Sequence, residues 1–275
     1  ASEPGTLWLP DTNMFHTAIT NGGFSDCRLV IPGFTSWTAD NLTISNSSFR
    51  LPDTGFILNV ASDLCVVGGY LGVGRSNGIS TITVGRDLVL TNSGCLSVYS
   101  GVDTGQGYGA RVRVGRNVTI AGSSWLYPYS HPTNGGSVLL TAKGLTIASG
   151  GGINANCRGF SVASGPGKGG GTWHCGGGGY GGRGGRANTG GAGSFAGPAY
   201  GLMNAPMFPG SGGGGVQGGY GGGLVHAEVT RSLVVDGTIT ANGGQSVAYQ
   251  YGGAAGGGIF LKCREFRGTA SGVLW

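Results

Sequence analysis

The chain has 275 residues, of which 63 are glycine and 10 proline, about 27 per cent together where roughly 12 per cent is usual. That excludes an ordinary helical fold, and a charged fraction of only 10 per cent excludes the disordered class that depends on strong net charge. What remains is a weakly charged, extended fold in a chain long enough for one large domain or two ordinary ones.

In chain order, residues 1–40 read as an irregular capping segment that carries Trp8, Phe15, Phe24, Phe34 and Trp37. From residue 41 the chain repeats itself. The segments Phe56 to Val73, Ile79 to Tyr99, Ala110 to Tyr127, Ser137 to Ala155, Leu224 to Ala241 and Gly258 to Trp275 each read as strand, turn, strand, small-residue turn, strand. Leu64, Leu88, Val118, Leu145, Leu233 and Phe266 form one column of the second strand, and Val66, Leu90, Ile120, Ile147 and Val235 the column two residues on. Both columns are expected to point inward. Between them lie Cys65, Val89, Thr119, Thr146, Val234 and Arg267, the mixed set that period-two alternation turns outward. Ser93-Gly94, Ser149-Gly150 and Asp236-Gly237 supply corner residues, and Asn156 and Asn242 are expected in the left-handed region at the end of the third strand.

Three short strands per turn, each turn stacked on the last, predict an all-β parallel β-helix (β-solenoid) with a long glycine-rich insert packed on it. Rungs occupy 41–157, the insert 158–223 and the final rungs 224–275, in one domain overall. Residues 158–223 hold 29 glycines in 66 positions, whereas the other 209 residues hold 34. The interspersed Trp173, Tyr180, Phe195, Tyr200, Met203, Met207, Phe208 and Tyr220 favour an ordered insert of close-packed extended polyglycine over a flexible linker.

These rungs, with GGGGYGGRGG at 176–185, PGSGGGG at 209–215 and the GGxxGGGIFL run at 252–261, resemble the pectin-lyase-like parallel β-helix proteins, in particular glycine-rich secreted or surface members. The resemblance covers roughly residues 40–275. It implies right-handed winding and is poor for activity, because that superfamily holds lyases, hydrolases, adhesins and structural spikes.

Two residues before each inward Leu or Val of the second strand stand Ser62, Arg86, Arg116, Lys143, Arg231 and Arg264. Five rungs thus place a cation at one corner, a ladder to which an acidic polysaccharide or cell-surface glycan could bind; long basic side chains that shield sheet edges are the alternative. In a lyase of this superfamily a basic residue abstracts a proton while a cation or metal neutralises the substrate carboxylate. Lys168, His174, Tyr180, Arg183 and Arg186 of the insert are the ingredients for such a β-elimination. A hydrolase would need paired carboxyl groups, for which Glu228 with Asp236 is the pair to check. No metal or cofactor motif is present, and no cofactor is expected.

Six cysteines and a sequence that opens at Ala1 suggest a mature secreted product, extracellular or at the cell surface, with disulfides; Cys157 and Cys175 are placed to staple the insert. Asn41, Asn46 and Asn117 head N-x-S/T triplets that permit glycosylation. No run of 18 apolar residues occurs, so no membrane insertion is expected, and a net charge of only +5 without a nucleic-acid motif argues against nucleic acid as a partner. The last rung closes on its third strand at Trp275, which raises the expectation of an open end and of a head-to-tail homopolymer in filaments. The leading expectation is a structural or adhesive module; the alternative is a polysaccharide lyase acting on an acidic polysaccharide.

Overall fold

A computed structural model describes residues 5–13, 16–20, 24–75, 77–171, 173–187, 194–269 and 272–274; Phe15 and Trp275 lie outside them. Three strands lead in: β1 (Gly5–Trp8), β2 (Ala18–Ile19) and β3 (Cys27–Val30). Seven three-strand rungs follow among the described residues. The first is β4 (Ser36–Ala39), β5 (Leu42–Ser45) and β6 (Ser48–Leu51); the second is β7 (Ile57–Val60), β8 (Leu64–Val67) and β9 (Tyr70–Val73). The third is β10 (Ser80–Val84), β11 (Leu88–Thr91) and β12 (Cys95–Tyr99); the fourth is β13 (Ala110–Val114), β14 (Asn117–Ile120) and β15 (Trp125–Tyr129). The fifth is β16 (Val138–Ala142), β17 (Gly144–Ile147) and β18 (Gly152–Asn154). Beyond the insert come β19 (Val225–Val229), β20 (Ser232–Val235) and β21 (Thr238–Thr240), then β22 (Ile259–Lys262), β23 (Glu265–Arg267) and β24 (Val273–Leu274).

Like strands of successive rungs pair in parallel, giving three sheets: first strands in a sheet of seven, second strands with β2 in a sheet of eight, third strands with β1 and β3 in a sheet of nine. The fold is an all-β parallel β-helix. Its register is the one the apolar columns require, since Leu64, Leu88, Val118, Leu145, Leu233 and Phe266 are successive partners across the second sheet. Leu64 to Leu233 in that column are wholly buried, as are Val66, Leu90, Ile120 and Ile147, whereas Thr119 and Thr146 face out. Phe49–Leu71–Leu96–Leu126–Ile153–Ile239 and Trp37–Leu58–Ile82–Val112–Leu140–Ala227 line the other two walls. Burial of each such Leu, Ile or Val stabilises the fold by roughly 1.5–3 kcal/mol, so the stack carries its own core from rung to rung. Phe266 is the exception at 54 per cent exposure, because its rung is covered on one side only.

Phe34 packs on both Trp37 and Phe56, and Phe24 packs on Phe49, so these N-terminal aromatics cover the first rungs; Trp8 stays exposed. At the corners Asn92, Ser93 and Gly150 take positive φ, as a tight turn demands. Asn156 and Asn242 do not. The residue after Asn156, Cys157, is the left-handed one, and the Asn156 Oδ1 accepts a hydrogen bond from the Asn242 amide at 2.7 Å, tying two rungs together.

The expected disulfides are absent: all six cysteines are free. Cys27 and Cys95 share a sheet but have β6 and β9 between them, roughly 14 Å at the spacing of paired strands, far beyond disulfide reach. Cys65 lies on another sheet between Thr43 and Val89, and the Cys175 thiol donates to the Gly171 carbonyl at 3.1 Å instead of meeting Cys157.

The insert is ordered by its backbone. The segment 210–214 is buried and bonds to four neighbouring stretches, where a β-strand bonds to two. Phe160 and Ala163 donate to Gly210 and Gly213, and Gly210 and Gly213 donate to Gly222 and Gly219. Gly252 donates to Gly214, and Gly214 donates to Gly176. Such close approach has no room for side chains: a Cβ on Gly213 would sit 1.8 Å from the Gly252 carbonyl oxygen, and one on Gly221 1.7 Å from that of Gly210. The loop between β21 and β22 joins the same lattice through Gly252, Gly253 and Ala255, so the glycine-rich layer extends beyond residue 223.

Candidate functional site

The basic corner forms where the first strand of each rung turns into the second. Arg86 donates its amide to Ser62, Arg116 to Arg86, Lys143 to Arg116, Arg231 to Lys143 and Arg264 to Arg231, at 2.7–3.0 Å. Lys143 and Arg231 are therefore direct neighbours despite the insert between them. All five cations are exposed and sit one per rung, about 4.8 Å apart. The next residue of each rung builds a second ladder: Asn41 Oδ1 accepts from the Asp63 amide, Asp63 Oδ1 from the Asp87 amide, and Asp87 Oδ1 from the Asn117 amide and side chain. That column is acidic at Asp63, Asp87 and Glu265 and neutral between Asp87 and Glu265. Arg86 lies 3.6 Å from Asp63, and Glu265 beside Arg264 pairs with Arg267, but beside Arg116, Lys143 and Arg231 stand Asn117, Gly144 and Ser232. Among the described residues the side chains of these three cations form no ion pair, although Asp87 reaches Asn117 beside Arg116 and the Glu265 amide donates to the Arg231 carbonyl. Asn41 and Asn117 are exposed but engaged in this ladder, and Asn46 takes positive φ at the next corner.

The insert residues named for elimination chemistry are spread out. Lys168 lines two surface clefts, one with Phe195 and Val216 and one with Phe160 and Pro166; His174, Tyr180 and Arg183 line neither. The Tyr180 hydroxyl accepts from the Phe208 amide and its ring packs edge-on against Tyr200, which makes it a support of the lattice. Burial raises its pKa, the wrong direction for a phenolate base. Arg183 and Arg186 are not part of these contacts; His174 takes positive φ and its carbonyl accepts from Ser194. The carboxylate pair also fails to form. Glu228 lies on the outer side of the first sheet near His226 and Lys262, whereas Asp236, at a corner of the second and third sheets, accepts from the Thr269 amide.

A further cluster lies on the outer face of the third sheet. The Arg50 guanidinium covers the Tyr99 ring at 3.6 Å, Tyr99 stacks on Tyr129 at 4.3 Å and 17°, and Arg158 covers Tyr129 at 4.8 Å and Tyr127 at 4.5 Å. Gly72 lies between Arg50 and Ser97 in the sheet, and its missing side chain lets Arg50 reach past one rung to Tyr99. Tyr70 and Tyr99 share a hydrogen bond at 3.2 Å. Burial, then Tyr70, pushes the Tyr99 phenol up to about 12 against the pull of Arg50, and burial raises Tyr129 as well. The ladder floors a cleft of about 300 Å³ walled by Ser130, Pro132, Cys157 and Tyr220.

No family model, curated protein or solved structure matches the chain. What is shown is the parallel β-helix architecture, without a family. The cleft had a signal in the sequence. Tyr99 and Tyr129 share a repeat column at the end of the third strand, and residues 104–227 hold eight Lys and Arg without one Asp or Glu. A net charge of +5 conceals this separation of acids from bases.

Proposed function

We propose that this protein is a non-catalytic β-solenoid of the pectin-lyase-like kind that adheres to an extended acidic polysaccharide along its basic corner. The observation that carries the reading is the run Arg116, Lys143 and Arg231, exposed on consecutive rungs, whose side chains form no ion pair among the described residues. Like charges at that separation repel by about 1 kcal/mol per pair in water, and a polyanion with regularly spaced charges removes that repulsion at every rung. Edge shielding alone does not call for uncompensated charge, since paired Lys and Glu shield an edge equally well. Extracellular or cell-surface glycan is the setting that suits such a module.

The test is binding of alginate and polygalacturonate across a salt series, with the triple variant R116Q/K143Q/R231Q as comparison. Affinity of the native protein is expected to fall steeply with salt, and the triple variant to lose at least about tenfold at low salt while keeping its melting behaviour. Equal binding by variant and native protein overturns the reading. Ultraviolet absorbance of unsaturated uronates is expected to stay flat; a rise would make the protein a lyase.

A further inference from the structure

We propose that the cleft between Arg50 and Arg158 is a second binding site, for one small monocyclic carboxylate, and that it acts independently of the basic corner. Two guanidinium groups serve this cleft and no carboxylate lines it. Their protein partners are all neutral. Arg50 Nη2 donates to the Gly74 carbonyl at 3.2 Å; Arg158 Nη1 donates to Asn154 Oδ1 at 3.0 Å and to the Asn156 carbonyl at 2.7 Å; the remaining contacts are tyrosines. The Nε atoms of both arginines are buried without a hydrogen-bond partner. Partly desolvated charges held by neutral groups alone are costly, and an anion that accepts from the guanidinium forks offsets that cost.

The geometry also sets the ligand's size and shape. Tyrosine faces hold both guanidinium planes in place, so little side-chain freedom is left to lose on binding. The volume of about 300 Å³ is at the small end for ligand pockets and accommodates one substituted six-membered ring rather than a stretch of polymer. Pro132 and the exposed ring of Tyr220 offer flat apolar walls, while Ser130 and the tyrosine hydroxyls offer hydrogen bonds to ring substituents. A uronic acid and a hydroxylated aromatic acid share these features: a carboxylate on a ring with hydroxyl groups. Tyr220 comes from the glycine-rich lattice and the rest of the cleft from the solenoid and its junction with it, so the two parts of the fold complete the site together.

The probes are glucuronate and 4-hydroxybenzoate, titrated into the full chain by calorimetry and by tyrosine fluorescence, with glucose and 4-hydroxybenzyl alcohol as neutral counterparts. Saturable binding of at least one acid and of neither neutral compound is expected; which acid binds identifies the source of the carboxylate. Arg50→Gln and Arg158→Gln should each weaken it at least about tenfold, as loss of a charge-assisted hydrogen bond implies. Since Arg158 also anchors the start of the insert, Tyr220→Ala provides a variant whose exposed side chain can be removed without touching that anchor, and it too should weaken binding. The R116Q/K143Q/R231Q variant should bind both probes as the native chain does, whatever becomes of its affinity for polysaccharide. No saturable binding of either acid below about 10 mM, or equal binding of the neutral counterparts, overturns the proposal. So does native affinity in folded Arg50→Gln and Tyr220→Ala proteins.

Discussion

The solenoid and the glycine lattice solve the same problem with opposite materials. In the rungs, Leu, Ile and Val fill a core that the backbone surrounds, and backbone bonds run to two neighbours, above and below. In the lattice the backbone is itself the core, and segment 210–214 bonds to four neighbours because its four glycines have no side chains to hold them apart. The first arrangement gains from apolar burial. The second gains from satisfied N–H and C=O groups and close packing, and it must overcome the large conformational entropy of glycine. A methyl group therefore has opposite meanings in the two regions: removed from the solenoid it leaves a cavity, added to the lattice it drives backbones apart.

The largest expected effect is Gly213→Ala. Its Cβ would lie 1.8 Å from a carbonyl oxygen in a chain that is itself hemmed in by bonded neighbours, so no flexible side chain can yield. The cost should exceed the roughly 1–3 kcal/mol of ordinary overpacking, and hydrogen exchange should show the amides of 160–185 and 210–222 losing protection while β10 to β17 keep theirs. Uniform loss across both regions would mean that they unfold as one unit and would break the comparison. Next is Leu145→Ala, which should cost roughly 2–5 kcal/mol in denaturant melts because the column above and below it is fully buried. Phe266→Ala, in the same column but more than half exposed, should cost less than about 1 kcal/mol. Similar values for the two would show that the end rung is covered in solution.

Side chains made the solenoid legible. Alternation at period two gave the inward columns, and the repeated cation ahead of them carried the register across the 88 residues that separate Lys143 from Arg231. The lattice could be foreseen as ordered, because aromatics are scattered through it, but not drawn: glycine leaves no periodic pattern, so nothing in the sequence says that 210–214 bonds to 160–163, 176, 219–222 and 252. Cysteine count misled because pairing depends on which sheet each thiol lies on. The cleft was missed for a related reason: Arg50, Tyr99, Tyr129 and Arg158 come from separate rungs, and Arg50 meets Tyr99 only because Gly72 leaves the intervening rung bare.

The subtlest test of the comparison is alkaline, because each region holds a buried phenol. Tyr99 belongs to the solenoid face and is pushed up to about 12; Tyr200 belongs to the lattice and is raised further by burial, with Tyr180 adding to the effect and the Ser211 hydrogen bond opposing it. A phenol whose folded pKa lies above the value near 10 of an unfolded chain binds its proton more tightly in the fold. The stability it contributes is thus fully present below about pH 10 and is lost as pH rises toward the folded value. The structural consequences differ. Tyr200 donates its proton to the Pro209 carbonyl while accepting from Ser211 at 2.9 Å, so ionisation removes a bond at the entrance to segment 210–214. Tyr99 is held by stacking between Arg50 and Tyr129, contacts that a phenolate keeps. Melting followed from pH 9 upward should therefore show both regions losing stability above about pH 10, with the loss due to Tyr99 levelling off near pH 12 while that due to Tyr200 continues. Tyr200→Phe, at a cost of about 1–2 kcal/mol at neutral pH for the partners left unpaired, should remove at least as much of that alkaline loss as Tyr99→Phe does, because its folded value lies higher. If Tyr99→Phe abolishes it and Tyr200→Phe does not, the phenol that matters for stability belongs to the solenoid, and the lattice owes its order to glycine backbone alone.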